Sequence, residues 1–137
     1  MLPGQKRCAQ AWHKYGKPFI LHSCGQIDAL MEDLIKEVGI DGRHSFEDVI
    51  ESVESIYERY GDRIAILGGV VDVGLLSMGS TDQVRARVRK ILDTCGKNGG
   101  FAIGFGNLVT NYAKIENYYA MIDETRKWNE EMGLSSL

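Results

Sequence analysis

The chain is short of several things at once, and each shortage removes a class of function. It has no basic excess: 16 Lys and Arg stand against 19 Asp and Glu, a formal net charge of −3. Nucleic-acid-binding surfaces carry a basic excess, so no nucleic-acid partner is expected. No uninterrupted apolar run approaches the roughly 20 residues of a membrane-spanning helix, so no membrane association is expected. The opening residues lack the pattern of a secretory signal peptide. Cysteine is scarce, and the three thiols, Cys8, Cys24 and Cys95, are odd in number and widely spaced. They suggest no disulfide framework, and a cytoplasmic location is expected. Low-complexity segments and interdomain linkers are missing too. No Gly-x-Gly-x-x-Gly follows the first apolar run, which takes away the dinucleotide-binding fingerprint.

What is present is the composition of an ordinary globule, 137 residues with 44% hydrophobic and 26% charged side chains. That length suits one domain over residues 1–137. Helical and extended patterns alternate along it. Over 4–16, Cys8, Ala11, Trp12 and Tyr15 fall on one helical face. An apolar strand over 18–22 opens at Pro18, and Ile27, Leu30, Met31, Leu34, Ile35 and Val38 form the next helical stripe, closed by Gly39. A short strand over 40–44 follows. Ser45 is then placed to cap a helix carrying Phe46, Val49, Ile50, Val53, Ile56, Tyr57 and Tyr60. Residues 63–67 form the clearest strand, and a loop runs from Val70 to Gly79. Ser80 with Gln83 reads as a capping box for a helix with Val84, Val88, Ile91, Leu92 and Cys95 on its apolar face. A glycine-bounded strand over 99–104 and a helix over roughly 115–132, with Tyr118, Met121, Thr125, Trp128 and Met132 on one side, complete the chain. Cys8 and Cys95 are expected as packing thiols, the basic run Arg85, Arg87, Arg89 and Lys90 as a solvated face, and His13 carries no visible role.

Four strand-then-helix units joined by short connections predict an α/β fold with a parallel sheet. An open doubly wound sheet and part of a (β/α)8 barrel are both compatible, since a whole barrel needs about 200 to 250 residues. In either fold, chemistry gathers where strands end. The end of the first strand is Leu21-His22-Ser23-Cys24-Gly25. Side chains alternate along extended backbone, so His22 and Cys24 point one way and Ser23 the other. An imidazole and a thiol side by side at such a rim suit metal binding or nucleophilic chemistry. A strand-end histidine with a plain thiol is the bland alternative.

Five pieces in register along nearly the whole chain carry a resemblance. They are Leu21-His22-Ser23-Cys24-Gly25; Gly39 through Asp48; Tyr60-Gly61-Asp62-Arg63-Ile64 leading to Gly68-Gly69 and Asp72; Gly99 through Asn107; and Glu116-Asn117-Tyr118. With these the chain resembles the carboxyl-terminal half of the uroporphyrinogen decarboxylase superfamily, which includes corrinoid-dependent methyltransferases. The resemblance implies strands five to eight of a (β/α)8 TIM barrel. Its methyltransferase branch implies zinc held by a His-x-Cys pair and a distant Cys, and methyl transfer between a corrinoid and a thiol. His22 and Cys24 match the pair, and no cysteine stands near Gly104 to Gly106, where the distant one would fall. The decarboxylase branch implies a tetrapyrrole substrate, with Arg43 as a holder of its carboxylates and Asn107 in place of a histidine near the last strand's end.

Successive parallel strand ends would bring His22, Cys24, His44, Asp72 and Asn107 to one face. His22, Cys24 and His44 would offer zinc an N, S, N set with one position open. Asp72 would orient an imidazole from behind, and Asp72 and Asn107 are the candidate catalytic groups. The bland alternatives are that His44 positions the next helix, Asp72 caps a turn and Asn107 satisfies loop backbone. A four-stranded sheet leaves two unpaired edges, which predicts self-association into a homo-oligomer or pairing with a missing amino-terminal half. The isolated chain is expected to be weakly active or inert, because half the rim loops of a barrel are absent.

Overall fold

The computed structural model describes residues 2–46, 50–69, 73–105, 108–109 and 111–134. Helix α1 (Leu2–His13) leads into strand β1 (Ile20–His22). A 3-10 turn (Asp28–Leu30), helix α2 (Met31–Asp33) and a π-helical segment (Leu34–Val38) then run on as one winding, followed by β2 (Gly42–His44) and α3 (Val53–Tyr60). Next come β3 (Ala65–Leu67), α4 (Val73–Met78), α5 (Thr81–Cys95), β4 (Phe101–Ala102) and α6 (Ile115–Glu131). The four strands form one sheet in the order β1-β2-β3-β4, and every pairing is parallel. The class is therefore α/β, as alternation of apolar runs and helical stripes predicted.

Register explains what the sheet does. Leu21 pairs with Arg43, Arg43 with Ile66 and Ile66 with Phe101, so these four side chains share one face. Leu21, Arg43 and Ile66 are buried there. The helices lie on that side: the Arg43 guanidinium reaches the Met31 sulfur of α2, and Tyr57 of α3 meets the Phe101 ring edge-on. The other face carries Ile20, Gly42 and Ala65, then His22, His44, Leu67 and Ala102. It is largely uncovered, with Ile20 46% exposed and His22 and Ala102 exposed. A parallel sheet is usually covered on both faces.

Helix α5 begins as its sequence promises. The Ser80 hydroxyl accepts from the Gln83 N–H, and the Gln83 amide oxygen accepts from the Ser80 N–H at 2.9 Å. Val84, Val88, Ile91, Leu92 and Cys95 are all buried, and burial pushes the Cys95 thiol up to about 12, which leaves it inert as a packing group. The Ile27–Val38 stripe likewise packs as expected, with Met31, Leu34 and Val38 buried.

Several expectations are corrected. Helix α1 buries Ala9, not the Cys8–Trp12–Tyr15 stripe: Cys8 is exposed, Trp12 is 54% exposed, and Tyr15 lies beyond the helix end and is 75% exposed. Its neighbour is the π-helical segment, so only a narrow strip finds a partner. Ser45 does not cap α3. Its φ is +82° and it is buried, with its hydroxyl 3.4 Å from the Cys24 sulfur. The cap of α3 is Ser52, which accepts from the Ser55 N–H. Glu47, Asp48 and Val49 lie outside the described residues. The expected loop over 70–79 holds α4, whose final carbonyls are satisfied from far along the chain. The Asn117 side-chain amide donates to the Leu76 and Gly79 carbonyls at 2.9 and 3.0 Å, and the Lys114 N–H donates to Leu76.

Of the basic run on α5, Lys90 is exposed as expected, but the three arginines are not simply solvated. Arg87 pairs with Glu54 of α3, while Arg89 binds Glu124 and Glu131 of α6 and Arg85 reaches Glu124. These ion pairs stitch α5 to both neighbours. Met121 and Trp128 of the last stripe are buried as expected, joined by Asn117, Ala120 and Glu124, while Met132 is 45% exposed. His13 also acquires a role. Its Nε2 lies 2.7 Å from the Asp41 carboxylate, which also accepts the Phe19 N–H, tying the end of α1 to the lead-ins of β1 and β2. Among the described residues, no helix is long and apolar enough to cross a membrane.

Candidate functional site

The carboxyl ends of β1 and β2 bring three of the expected residues together. His22 and His44 are register partners in adjacent parallel strands, so their rings stand side by side on the open face. The ring centroids are 4.9 Å apart and tilted by 30°, and the two Nδ1 atoms are 2.7 Å apart. Cys24 follows two residues after His22, and its sulfur lies 3.5 Å from His22 Nε2 and 3.4 Å from the Ser45 hydroxyl. The Ser23 N–H donates to the His44 carbonyl, prolonging the ladder by one bond. Gly25, at φ +81°, then turns the chain away. His22 and Cys24 are exposed and His44 is half-buried, so the cluster is open to a reactant.

Behind His44 the site is built from β3 and the segment after β4. His44 Nε2 lies 3.0 Å from the Phe105 carbonyl oxygen. Gly68, the residue after β3, lies against both groups. A Cβ added there would stand 2.9 Å from the Phe105 oxygen and 3.2 Å from the His44 ring, and its φ of +89° already favours glycine. The Gly68-Gly69 pair thus has a local cause: backbone must pass where no side chain fits. The Phe105 carbonyl was invisible to sequence reasoning, since any residue type supplies one. The only signal pointing to it was the Gly-Gly step itself.

Zinc provides a geometric test of the pair. Bonds of about 2.3 Å to sulfur and 2.0–2.1 Å to nitrogen, at a tetrahedral angle, separate the two donor atoms by about 3.5 Å. The Cys24 sulfur and His22 Nε2 are separated by that distance, so the pair fits two corners of such a site. His44 does not share it: its Nδ1 faces the opposite nitrogen of His22. Among the described residues, no group of three or more His, Cys, Asp or Glu side chains converges to hold a metal. Asp72 and Asn107 lie outside the described residues.

Arg43 sits apart from this cluster. Adjacent in sequence to His44, it points to the opposite face and is 4% exposed. It lines a small cavity of about 70 Å³ together with Gln26, Asp28, Ser45, Phe46 and Glu51. Its guanidinium stacks over the Phe46 ring at 4.5 Å and donates weakly to the Ser45 carbonyl, while Nε has no hydrogen-bond partner. Desolvation pulls its pKa down, opposed by the negative charges of Asp28 and Glu51. Those carboxylates do not touch it but bind Arg59.

A solved methyltransferase from Methanosarcina mazei matches 90% of this chain and 35% of its own length, with a TM-score of 0.68 at 22% sequence identity. That likeness concerns the fold, and it supports part of a TIM-barrel-type arrangement. The uroporphyrinogen decarboxylase of Methylococcus capsulatus is 32% identical over 77 residues, which is 56% of this chain and 21% of the relative. The chain therefore matches only a minor part of either relative's length. The family model for uroporphyrinogen decarboxylase (URO-D) matches residues 1–128, from α1 through the rim cluster into α6. With nearly the whole chain inside that match, the chain belongs to the uroporphyrinogen decarboxylase (URO-D) family.

Proposed function

We propose that this chain forms part of a methyl-transferring enzyme of its family, with a thiol and a corrinoid as reactants and zinc held at His22 and Cys24. The observation that carries the reading is the 3.5 Å separation of the Cys24 sulfur and His22 Nε2 on an exposed strand-end rim. Bound zinc supplies the Lewis acidity that keeps a thiol deprotonated at neutral pH. The chain's own residues do the rest of the work available at this rim. His22 presents a ring nitrogen, Cys24 presents sulfur, and the Ser45 hydroxyl beside Cys24 offers that sulfur a hydrogen bond. The open sheet face gives a reactant room to reach both.

Decarboxylation of a tetrapyrrole's acidic side chains is the second reading, favoured by the identity to the Methylococcus capsulatus enzyme. Against it stands Arg43, whose guanidinium is buried on the covered face rather than turned to the rim. Elemental analysis separates the two. Metal near one zinc per chain in wild type, falling at least tenfold in Cys24→Ser, is expected. Chains that stay metal-free after zinc loading, while binding a tetrapyrrole, would favour the second reading, and chains that bind neither would leave a non-catalytic module.

A further inference from the structure

We propose that His44 is a positioning residue: it sets the tautomer of His22, so that His22 turns a bare Nε2 lone pair toward Cys24. This rests on the zinc reading for its purpose but on hydrogen-bond logic alone for its content. A backbone carbonyl can only accept, so the 3.0 Å contact between His44 Nε2 and the Phe105 oxygen places a proton on that Nε2. A neutral imidazole carries one N–H, which leaves His44 Nδ1 as an acceptor. His22 Nδ1, 2.7 Å away, must therefore be the donor in that pair. With its single proton spent there, His22 has its lone pair on Nε2, the nitrogen that lies 3.5 Å from the Cys24 sulfur. The assignment runs in one direction, from a carbonyl through two rings to the thiol.

This role differs from the third-ligand role expected of His44. Its two ring nitrogens are both engaged, one with Phe105 and one with His22, so it stands behind His22 rather than around a shared ion. Ligating histidines commonly donate their other N–H to a group that holds the ring and fixes the tautomer. Here a second imidazole is that group, anchored in turn by main chain. Gly68 belongs to the same device. Its missing Cβ lets the Phe105 oxygen approach His44, and a methyl group would sit 2.9 Å from that oxygen.

The first test needs no metal and no variant. Long-range proton–nitrogen correlation spectra of the 15N-labelled, metal-free chain, at a pH where both rings are neutral, report which nitrogen bears each proton. His22 protonated on Nδ1 and His44 on Nε2 is expected, and His22 protonated on Nε2 overturns the proposal. The second test measures zinc affinity by chelator competition. His44→Phe and Gly68→Ala should each weaken it by about 10- to 100-fold, the usual cost of losing a ligand's supporting group. His44→Asn places an acceptor oxygen near the lost Nδ1 and should stay within about threefold of wild type. An unchanged affinity in His44→Phe overturns the positioning role. Should wild type fail to bind zinc at all, the metal reading falls while the spectra still decide the tautomer.

Discussion

Two faces of one sheet are built here from alternate residues of the same short strands, and they have opposite characters. On one face Leu21, Arg43 and Ile66 lie under helices, with Ile66 at 0% exposure. On the other, His22 and His44 stand beside Ile20, which is 46% exposed. Because the side-chain period is two, a slip of one residue in β2 would exchange Arg43 with His44 and destroy both faces together. Stability and chemistry are thus separated by parity rather than by distance along the chain. Ile66→Ala should cost about 2–5 kcal/mol, the range for emptying a buried site. Ile20→Ala, two strands over on the open face, should change stability by about 0.5 kcal/mol or less. Urea unfolding midpoints read both, and comparable losses would mean that the open face is covered in solution.

What sequence alone revealed follows the same division. Strand–helix alternation, the Ile27–Val38 stripe, the Ser80–Gln83 box and the His22–Cys24 pair were legible because each is a local pattern with a fixed period. The misses depended on partners remote in sequence. Periodicity marked Cys8, Trp12 and Tyr15 as one face of α1, but it carries no information on which face meets a neighbour, and the neighbour meets Ala9. Helix α4 stayed hidden because Asn117 satisfies its end from 41 residues away. Ser45 has a cap's composition, yet its hydroxyl is drawn to Cys24 by the strand pairing. The Phe105 carbonyl behind His44 is main chain, and only the Gly68-Gly69 step hints at it.

The helical layer can be probed at a narrower point. Gly96 follows α5 with an ordinary φ of −82°, so glycine is not needed there for the backbone. It is needed for space: an added Cβ would lie 2.7 Å from the ring of Trp128 and 2.8 Å from the Leu92 carbonyl oxygen, and Trp128 is buried, its indole N–H donating to Asp93 at 2.9 Å. Gly96→Ala should cost about 1–3 kcal/mol by overpacking the α5–α6 seam. Trp128→Phe in the same chain should recover part of that loss, which distinguishes a clash with the indole from a general weakening of the helix end. Additive losses in the double variant would exclude the clash.

The smallest effect concerns pH, and it too belongs to the covered side. Burial raises the Glu54 carboxyl, but the hydrogen bonds from Arg87 outweigh it and hold the group below the ordinary glutamate value. Asp41 follows the same course: burial raises it, and the Phe19 N–H and His13 bring it down further than burial lifts it. Hydrogen bonds from Arg63 and Lys36 hold exposed Glu32 at about 2, although solvent screening limits what that pair contributes. In each case the folded state releases its proton more readily than the unfolded chain. The associated stability is therefore complete above the unfolded value, about 4.3 for glutamate and 3.9 for aspartate. It is lost as pH falls through the lower folded values. Urea midpoints should accordingly decline between about pH 5 and about pH 2.5, and Glu54→Gln should make that decline shallower. A midpoint that stays level or rises on acidification would show that these pairs are not formed in solution.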